Sequence, residues 1–353
     1  MKGKSRGFLI EAQITLIAIL LAFLVGGVII ALMGENPFRA YGALLQGAFG
    51  SPVALSYSLT KAVPLIFTGL AVAVATRCTV FNIGAEGQLL MGALAAGLVG
   101  VYVDLPMVIH IPLCILAGAA AGFLWAGIAA ALKFARNVHV VIATIMLNYV
   151  ATFFVQYLVN GPFKEENSTI SGTARIAGSA QLPLLFPRPM SLNIGFILAI
   201  IMIFVCWFLL KKTTAGYELR AVGLNANASR TSGINIKKNM FLALLISGAL
   251  AGIGGAVEVQ GSIYRVVDGF SPGYGFNGIP VAMMAHGNPV AVFFSAFLLG
   301  AMRNGALNMQ IQVGVSQDIV DIIQGLVLIF LGCDYMIRYY LEHGTKKGGK
   351  ADA

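Results

Sequence analysis

Long apolar runs, separated by short polar stretches that carry Lys and Arg, are the feature that most restricts the fold of this chain. These runs fall at about 14–33, 55–76, 89–103, 107–132, 138–159, 191–210, 240–260, 274–287, 290–308 and 317–337. A helix of about 20 residues spans about 30 Å, which is the thickness of the hydrocarbon core of a bilayer. The sequence therefore predicts an all-α, polytopic transmembrane helical bundle embedded in the lipid bilayer.

The composition excludes two other classes of protein. Apolar residues make up 58% of the chain and charged residues only 10%, whereas soluble domains carry about 25% charged residues. Disorder requires low hydrophobicity and high charge. The net charge of +9 does not indicate nucleic-acid binding, because the basic residues lie in short clusters between apolar runs and not on one basic face with stacking aromatic residues.

The distribution of basic residues predicts the topology. Lys and Arg concentrate in the segments that would face the cytoplasm, and the outer segments hold only Arg39, Lys164, Arg175, Arg188 and Arg265. Cytoplasmic placement of both termini then requires about ten segments, with broken or short helices near 77–90 and 274–288. We expect a single transmembrane domain over 1–353, with a cytoplasmic coupling loop at about 211–239 and a basic cytoplasmic tail at about 338–353.

Neither a metal site nor a catalytic site is predicted. The four cysteines show no ligand spacing and lie at Cys78, Cys114, Cys206 and Cys333. The stretch 344–350 matches the start of a phosphate-binding loop, but Ala351 stands where Ser or Thr would hold Mg²⁺, and the required strand and helix are missing. We expect no cofactor and no enzymatic activity, with ATP hydrolysis left to a separate subunit.

Glu86 is the first candidate functional residue, because a carboxylate at the centre of a membrane helix costs about 2.5–3.5 kcal/mol. One interpretation places Glu86 on a substrate pathway, or in a hydrogen-bond network that orders its loop. The other places it at the cytoplasmic interface, where it would cap a helix. The flanking Asn82 and Gln88 add neutral hydrogen-bonding groups, and Phe81 opens the same stretch.

Other polar residues interrupt the apolar runs. Asn148 and Asn277 lie within segments, where an Asn either contacts substrate or joins neighbouring helices. Glu258, Asp318 and Asp321 are expected at solvated outer surfaces. Two small-xxx-small motifs, 118–122 and 248–252, predict close helix crossings.

The stretch 211–239 predicts an ordered cytoplasmic segment that contacts a partner protein. Residues 218–229 can form one short helix, with Leu219 and Val222 on its apolar side. The alternative is an ordinary solvated loop that carries positive charge. The candidate coupling residues are Gly216, Glu218, Leu219, Arg220, Val222, Gly223 and Asn225.

Five stretches carry a resemblance to a known family. They are Asn36-Pro-Phe-Arg-Ala-Tyr-Gly42 with 47–51, Phe81-Asn-Ile-Gly-Ala-Glu-Gly-Gln88, Glu218-Leu-Arg-Ala-Val-Gly-Leu-Asn225 with Gly233-Ile234, Asn304-Gly-Ala-Leu-Asn308, and Gly325-Leu-Val-Leu328. Together they resemble the permease subunits of ABC importers of the branched-chain amino acid, simple-sugar and nucleoside group, and are most similar to the nucleoside branch. The 218–225 stretch resembles the loop of that group which contacts the ATPase.

The resemblance implies a nucleoside importer of the bacterial cell membrane. It implies a cytosolic ABC ATPase, a second homologous permease subunit in a heterodimer, and an extracytoplasmic solute-binding lipoprotein. The candidate pathway residues are Phe81, Asn82, Glu86, Gln88, Asn148 and Asn277. Two alternatives remain open: a simple-sugar importer permease of the ribose type, and an ion-coupled secondary transporter.

Overall fold

A computed structural model of the protein describes residues 2–166 and 169–332. Cys333 and the predicted cytoplasmic tail at about 338–353 lie outside the described residues. The described chain is helical, with isolated β-bridges and no β-strand between its residues. Its helices are α1 (Lys2–Leu32), α2 (Pro37–Phe49), α3 (Pro52–Thr76), α4 (Ala85–Tyr102), α5 (Met107–Arg136), α6 (Val140–Asn160), α7 (Ile194–Lys212), α8 (Thr214–Leu224), α9 (Ala226–Thr231), α10 (Ile236–Glu258), α11 (Tyr274–Met284), α12 (Pro289–Val313) and α13 (Asp318–Gly332).

The predicted fold class is confirmed. Within the described ranges, eight helices are long and apolar enough to cross a membrane: α1, α3, α4, α5, α6, α7, α10 and α12. The two remaining predicted segments correspond to the short helix α11 and to α13, whose described part ends at Gly332 with the described residues. The stretch between α3 and α4 is non-helical from about residue 77 to 84, which is the break that the sequence predicted there.

Local sequence determines where several helices begin. The Ser51 side chain accepts a hydrogen bond from the backbone N–H of Ala54, and Pro52 follows it at the first helical position of α3. Asn193 accepts in the same way from the N–H of Gly195 at the start of α7. These side chains satisfy backbone donors that have no partner within the helix.

The described residues 2–48 and 302–332 form one compact unit. In it, the side chains of Asn304 and Asn308 on α12 donate hydrogen bonds to the carbonyl oxygens of Gly47 and Ala43 on α2, at 2.9 and 2.6 Å. Two of the stretches that carry the family resemblance therefore contact each other. The Tyr41 hydroxyl donates to the carbonyl of Phe23, and burial raises the pKa of Tyr41 to about 12, so the phenol keeps its proton.

Residues 49–301 form the second unit. At its centre, α10 crosses α4 and α5 at glycines: a Cβ atom on Gly118 would lie 3.0 Å from the carbonyl oxygen of Gly252 and 3.1 Å from that of Gly92. A Cβ on Gly252 would likewise lie 3.0 Å from the Cα of Gly122. The close crossing predicted from the two small-xxx-small motifs is confirmed. The single transmembrane domain over 1–353 stays a prediction.

Candidate functional site

Asn82 is the centre of a buried hydrogen-bond network in the loop between α3 and α4. Its Nδ2 donates to the Oε1 of Gln88 at 3.0 Å and to the Oγ of Ser247 at 2.8 Å, and its Oδ1 accepts from the N–H of Gly84 at 2.9 Å. All three side chains are at most 1% exposed. The network therefore ties the loop to both α4 and α10.

Asn148, on α6, holds the same loop from the opposite side. Its Oδ1 accepts from the N–H of Gly87 at 2.9 Å, and its Nδ2 donates to the carbonyl of Ile83 at 2.9 Å. The residue is 3% exposed. A side chain that satisfies one backbone donor and one backbone acceptor in a buried loop stabilises that loop, since an unpaired buried polar group costs about 1–3 kcal/mol.

Glu86 lies in the first turn of α4 and is only 6% exposed. Its Oε2 accepts a 2.6 Å hydrogen bond from the N–H of Gly275, in the first turn of α11. The backbones of these two helix ends are in direct contact, because a Cβ on Gly275 would overlap the backbone of Glu86. Of the two interpretations of Glu86, this geometry favours a carboxylate that orders the bundle interior over one that lies at the interface.

Tyr274, the first residue of α11, joins this helix to α3 and α10. Its hydroxyl accepts from the Nζ of Lys61 at 3.5 Å and donates to the Oε1 of Glu258 at 3.4 Å. Its carbonyl accepts from the Oγ1 of Thr68 at 3.0 Å. The prediction that Glu258 is solvated at an outer surface is wrong: the residue is 3% exposed, because Tyr274 and Ser262 supply hydrogen bonds that compensate for its burial.

Arg77 contacts the chain just beyond the other end of α11. Its Nε donates to the carbonyl of Gly287 at 3.0 Å, and its Nη2 donates to the carbonyl of His286 at 2.9 Å. A cation at this position also interacts favourably with the negative end of the helix dipole. Arg77 therefore holds the turn that follows the C-terminal end of α11.

Phe81 and Asn277 differ from the other predicted pathway residues. Phe81 is 41% exposed, whereas the side chain of Asn277 is half-buried and has no hydrogen-bond partner among the described residues. Asn82, Glu86, Gln88 and Asn148 already have partners within the protein. The structure thus places the predicted residues near the two broken helices, and the side chains of Phe81 and Asn277 are the more exposed ones among them.

The predicted coupling segment contains two helices where the sequence predicted one. The helix expected over 218–229 ends with α8 at Leu224, and α9 begins at Ala226. The intervening Asn225 adopts an extended backbone, and its side chain accepts a hydrogen bond from the N–H of Ala228. Asn225 is therefore the N-cap of α9, and an N-cap residue does not have helical backbone angles.

The apolar side of α8 packs against the rest of the chain. Leu219 and Val222 are at most 1% exposed. A Cβ on Gly223 would overlap the carbonyl oxygen of Arg77, and one on Gly216 would overlap that of Leu209. These small and apolar residues already pack within the chain, and their assignment as coupling residues stays a prediction.

The exposed side of α8 carries residues that the sequence analysis missed. Tyr217 is 62% exposed and Leu224 is 89% exposed, and their i, i+7 spacing puts them on one helix face. The i, i+7 spacing of these two apolar residues is the sequence signal from which this exposed face could have been predicted. Among the predicted residues, Glu218 accepts from the Nδ2 of Asn239 at 2.8 Å, and Arg220 is half-buried with its Nε directed to the carbonyl of Gly216 at 3.3 Å.

The family of the chain follows from sequence comparison. The family model described as "Branched-chain amino acid transport system / permease component" matches residues 54–332. The chain belongs to this family. Its members are transport components, so the chain is a membrane-spanning permease subunit and not an enzyme.

Several relatives are similar over nearly their whole length. The chain is 40% identical to the guanosine ABC transporter permease protein NupP of Bacillus subtilis, over 95% of this chain and 97% of the relative. It is 35% identical to the glucose ABC transporter permease protein TsgB13 of Haloferax volcanii, over 92% and 88%. It is 32% identical to the nucleoside ABC transporter permease protein NupB of Lactococcus lactis, over 99% and 100%.

Proposed function

We propose that this permease carries nucleosides into the cell as the membrane-spanning subunit of an ATP-driven importer. The observation that carries the proposal is the 40% identity to a guanosine permease over 95% of the chain. A second relative named for nucleosides matches across 99% of it. The resemblance of the stretch Phe81–Gln88 to the nucleoside branch agrees with these two similarities.

The chemistry near the broken helices suits a neutral solute. The polar side chains there are mainly amides, and the carboxylate of Glu86 is engaged by a backbone N–H. We infer that Asn82, Gln88 and Asn148 position the loop, while Phe81 and Asn277 contact the solute as it passes. A nucleoside offers hydroxyl groups and a base with a π-face, and both match an aromatic ring and an amide.

The proposed partners comprise a cytosolic ABC ATPase, a second homologous permease and an extracytoplasmic solute-binding lipoprotein. We infer that the ATPase contacts α8 and α9 through the exposed Tyr217 and Leu224, with Glu218 and Arg220 at the edge of the contact. Residues that pack inward, such as Leu219 and Gly223, would transmit the movement of α8 to the chain beneath it.

The proposed location is the bacterial cell membrane, with both termini in the cytoplasm. The excess of Lys and Arg in one set of connecting segments supports this orientation. The segment 211–239 then lies on the cytoplasmic side, where an ATPase can reach it.

Import of a simple sugar is a second candidate function, because a glucose permease is 35% identical to the chain. Ion-coupled secondary transport lacks comparable support, since the chain belongs to a family of transport-system permease components.

A two-part experiment separates these functions. The cognate binding protein would be screened by thermal shift against guanosine, other nucleosides, ribose and glucose. Uptake of radiolabelled guanosine and glucose would then be measured in cells that lack other uptake routes and express the complete transporter, with cells lacking the binding protein as the control. We expect stabilisation and uptake with nucleosides. Stabilisation and uptake with sugars alone would overturn the proposal.

A further inference from the structure

A cavity of about 510 Å³ opens beside the first turns of α3. Its lining includes Tyr57, Lys61, Arg188, Ser191, Ser262 and Tyr264, and no acidic side chain. Sites for small molecules usually have volumes of about 300–1,000 Å³ and combine apolar surface with a few convergent polar groups. The cavity has the size and the mixed lining of such a site.

One wall of the cavity is held in place by hydroxyl groups. The Oγ of Ser56, on α3, accepts hydrogen bonds from the N–H groups of Ser191 and Leu192, at 2.9 and 3.1 Å. The Oγ1 of Thr60 and the Oγ of Ser191 lie 3.0 Å apart. The connection that carries Arg188 and Ser191 is therefore fixed against α3, and the cavity is a built feature of the fold.

The aromatic groups of the cavity are not equivalent. Tyr57 is 42% exposed and has no ring partner among the described residues, so its ring is free to contact a ligand. The ring of Tyr264 is already covered on one face by the guanidinium of Arg175, at 5.1 Å from the ring centroid. Tyr57 is consequently the residue on which a planar group can stack.

The polar groups of the cavity lead directly to α11. Lys61 and Ser262 both line the cavity. Lys61 donates to the hydroxyl of Tyr274 at 3.5 Å, and Ser262 donates to the Oε2 of Glu258 at 3.2 Å. Both hydrogen bonds are long, so a ligand oxygen can replace the acceptor of either donor.

We propose that this cavity is a nucleoside-binding site within the permease itself, with the base stacked on Tyr57 and the solute oxygens hydrogen-bonded to Lys61 and Ser262. The lining supplies the cationic donors Lys61 and Arg188 and no carboxylate, which suits a solute rich in acceptors and disfavours cations. Stacking of a base on an aromatic ring is tolerant of base identity. This inference rests on the proposed nucleoside import and adds a permease site to it.

Occupancy of the site has a structural consequence. A nucleoside oxygen that accepts from Lys61 competes with the hydroxyl of Tyr274, which is the first residue of α11. Because Gly275, the next residue, is bound to Glu86, the cavity is connected to the predicted pathway through two adjacent residues. Binding of the solute would thereby change the hydrogen bonds at the start of α11.

The test measures binding to the assembled transporter without its binding protein. The complex would be placed in lipid nanodiscs, and its affinity for radiolabelled guanosine would be determined by equilibrium dialysis for the wild type, Tyr57→Leu, Lys61→Met and the control Tyr149→Leu. Tyr149 is also exposed, at 59%, but does not line the cavity. Size-exclusion chromatography would verify that each variant assembles.

We expect Tyr57→Leu and Lys61→Met to weaken guanosine binding at least tenfold and Tyr149→Leu to leave it unchanged. Ribose, which has no base, should compete weakly and equally for the wild type and Tyr57→Leu. Absence of binding to the wild type, equal affinity of all variants, or equal loss in the control would each overturn the site. If guanosine uptake by the complete transporter persists in that case, the proposed function stands and only the site is rejected. If neither uptake nor binding of nucleosides occurs, both are rejected.

Discussion

The carboxylate of Glu86, at the start of α4, accepts a 2.6 Å hydrogen bond from the backbone N–H of Gly275, at the start of α11. The positive ends of two helix dipoles therefore meet at one negative charge. Each helix start leaves backbone donors without a partner inside the helix; Glu86 accepts from one such donor of α11, and Asn148 accepts from one of α4, the N–H of Gly87. This hydrogen bond compensates in part for the burial of the acidic side chain.

Replacing Glu86 tests that arrangement. Glu86→Ala leaves buried N–H groups unpaired, at a cost of about 1–3 kcal/mol, and we expect uptake to fall while the complex still assembles. Glu86→Gln should be milder, because its amide oxygen still accepts from Gly275. Uptake of labelled nucleoside at matched expression measures the effect, with the exposed Glu35→Ala as the control. Full uptake by Glu86→Ala would contradict this role and favour the interpretation in which Glu86 lies at the cytoplasmic interface.

Asn148 should contribute mainly to stability. Asn148→Ala removes both hydrogen bonds that hold residues 83 and 87, so we expect a lower Tm for the purified permease in detergent. The matched control is Asn160→Ala, because the Asn160 side chain makes only exposed hydrogen bonds. An unchanged Tm for Asn148→Ala, with reduced uptake, would instead assign Asn148 to solute contact.

The exposed face of α8 should carry the coupling to the ATPase. Loss of a hot-spot residue at the centre of an interface costs about 2 kcal/mol or more, so if Leu224 is such a residue, Leu224→Asp should reduce substrate-stimulated ATPase activity roughly tenfold or more. Arg220→Glu should also reduce it, since it reverses a charge at the edge of the contact. The activity of the free ATPase subunit serves as the control. Normal stimulation in both variants would make the segment a solvated connection.

A larger side chain at Gly223 should destabilise the permease itself, independently of any contact with the ATPase. A Leu side chain there would overlap the backbone of Arg77, and such overpacking costs about 1–3 kcal/mol. We expect Gly223→Leu to lower the Tm of the isolated permease. Gly42→Leu is the matched control, because a Cβ at Gly42 meets no atom within 4 Å. A stable Gly223→Leu permease would mean that α8 can move away from Arg77 freely.

The orientation can be measured by labelling in intact cells. Thr214 and Thr169 are both exposed and lie in segments assigned to opposite sides of the membrane. In a background without reactive cysteines, Thr169→Cys should react with a membrane-impermeant maleimide and Thr214→Cys should react only after permeabilisation. Reaction of Thr214→Cys in intact cells would reverse the topology.

The apolar runs were sufficient to predict the segments, because each helix must cover about 30 Å of hydrocarbon. The glycine motifs likewise predicted a packing contact that depends only on side-chain size. Contacts between distant residues were not predictable: Lys61 and Tyr274 are 213 positions apart, and no local pattern links them. Glu258 was misassigned for the same reason, since its burial depends on partners that the folded chain supplies. In α8, amphipathic spacing identified two faces, but composition alone did not reveal that the apolar one is internal.

The contacts of Glu86 and Arg77 at the two ends of α11 have a mechanical consequence. Glu86 holds its first turn and Arg77 holds the chain just beyond its last, although these two residues are only nine positions apart in the sequence. The connection between α3 and α4 therefore contacts both ends of α11, and one added or lost helical turn in α11 would break one of the two contacts. A tilt of α11 would strain these contacts, so we expect residues 77–86 to move together with the short helix.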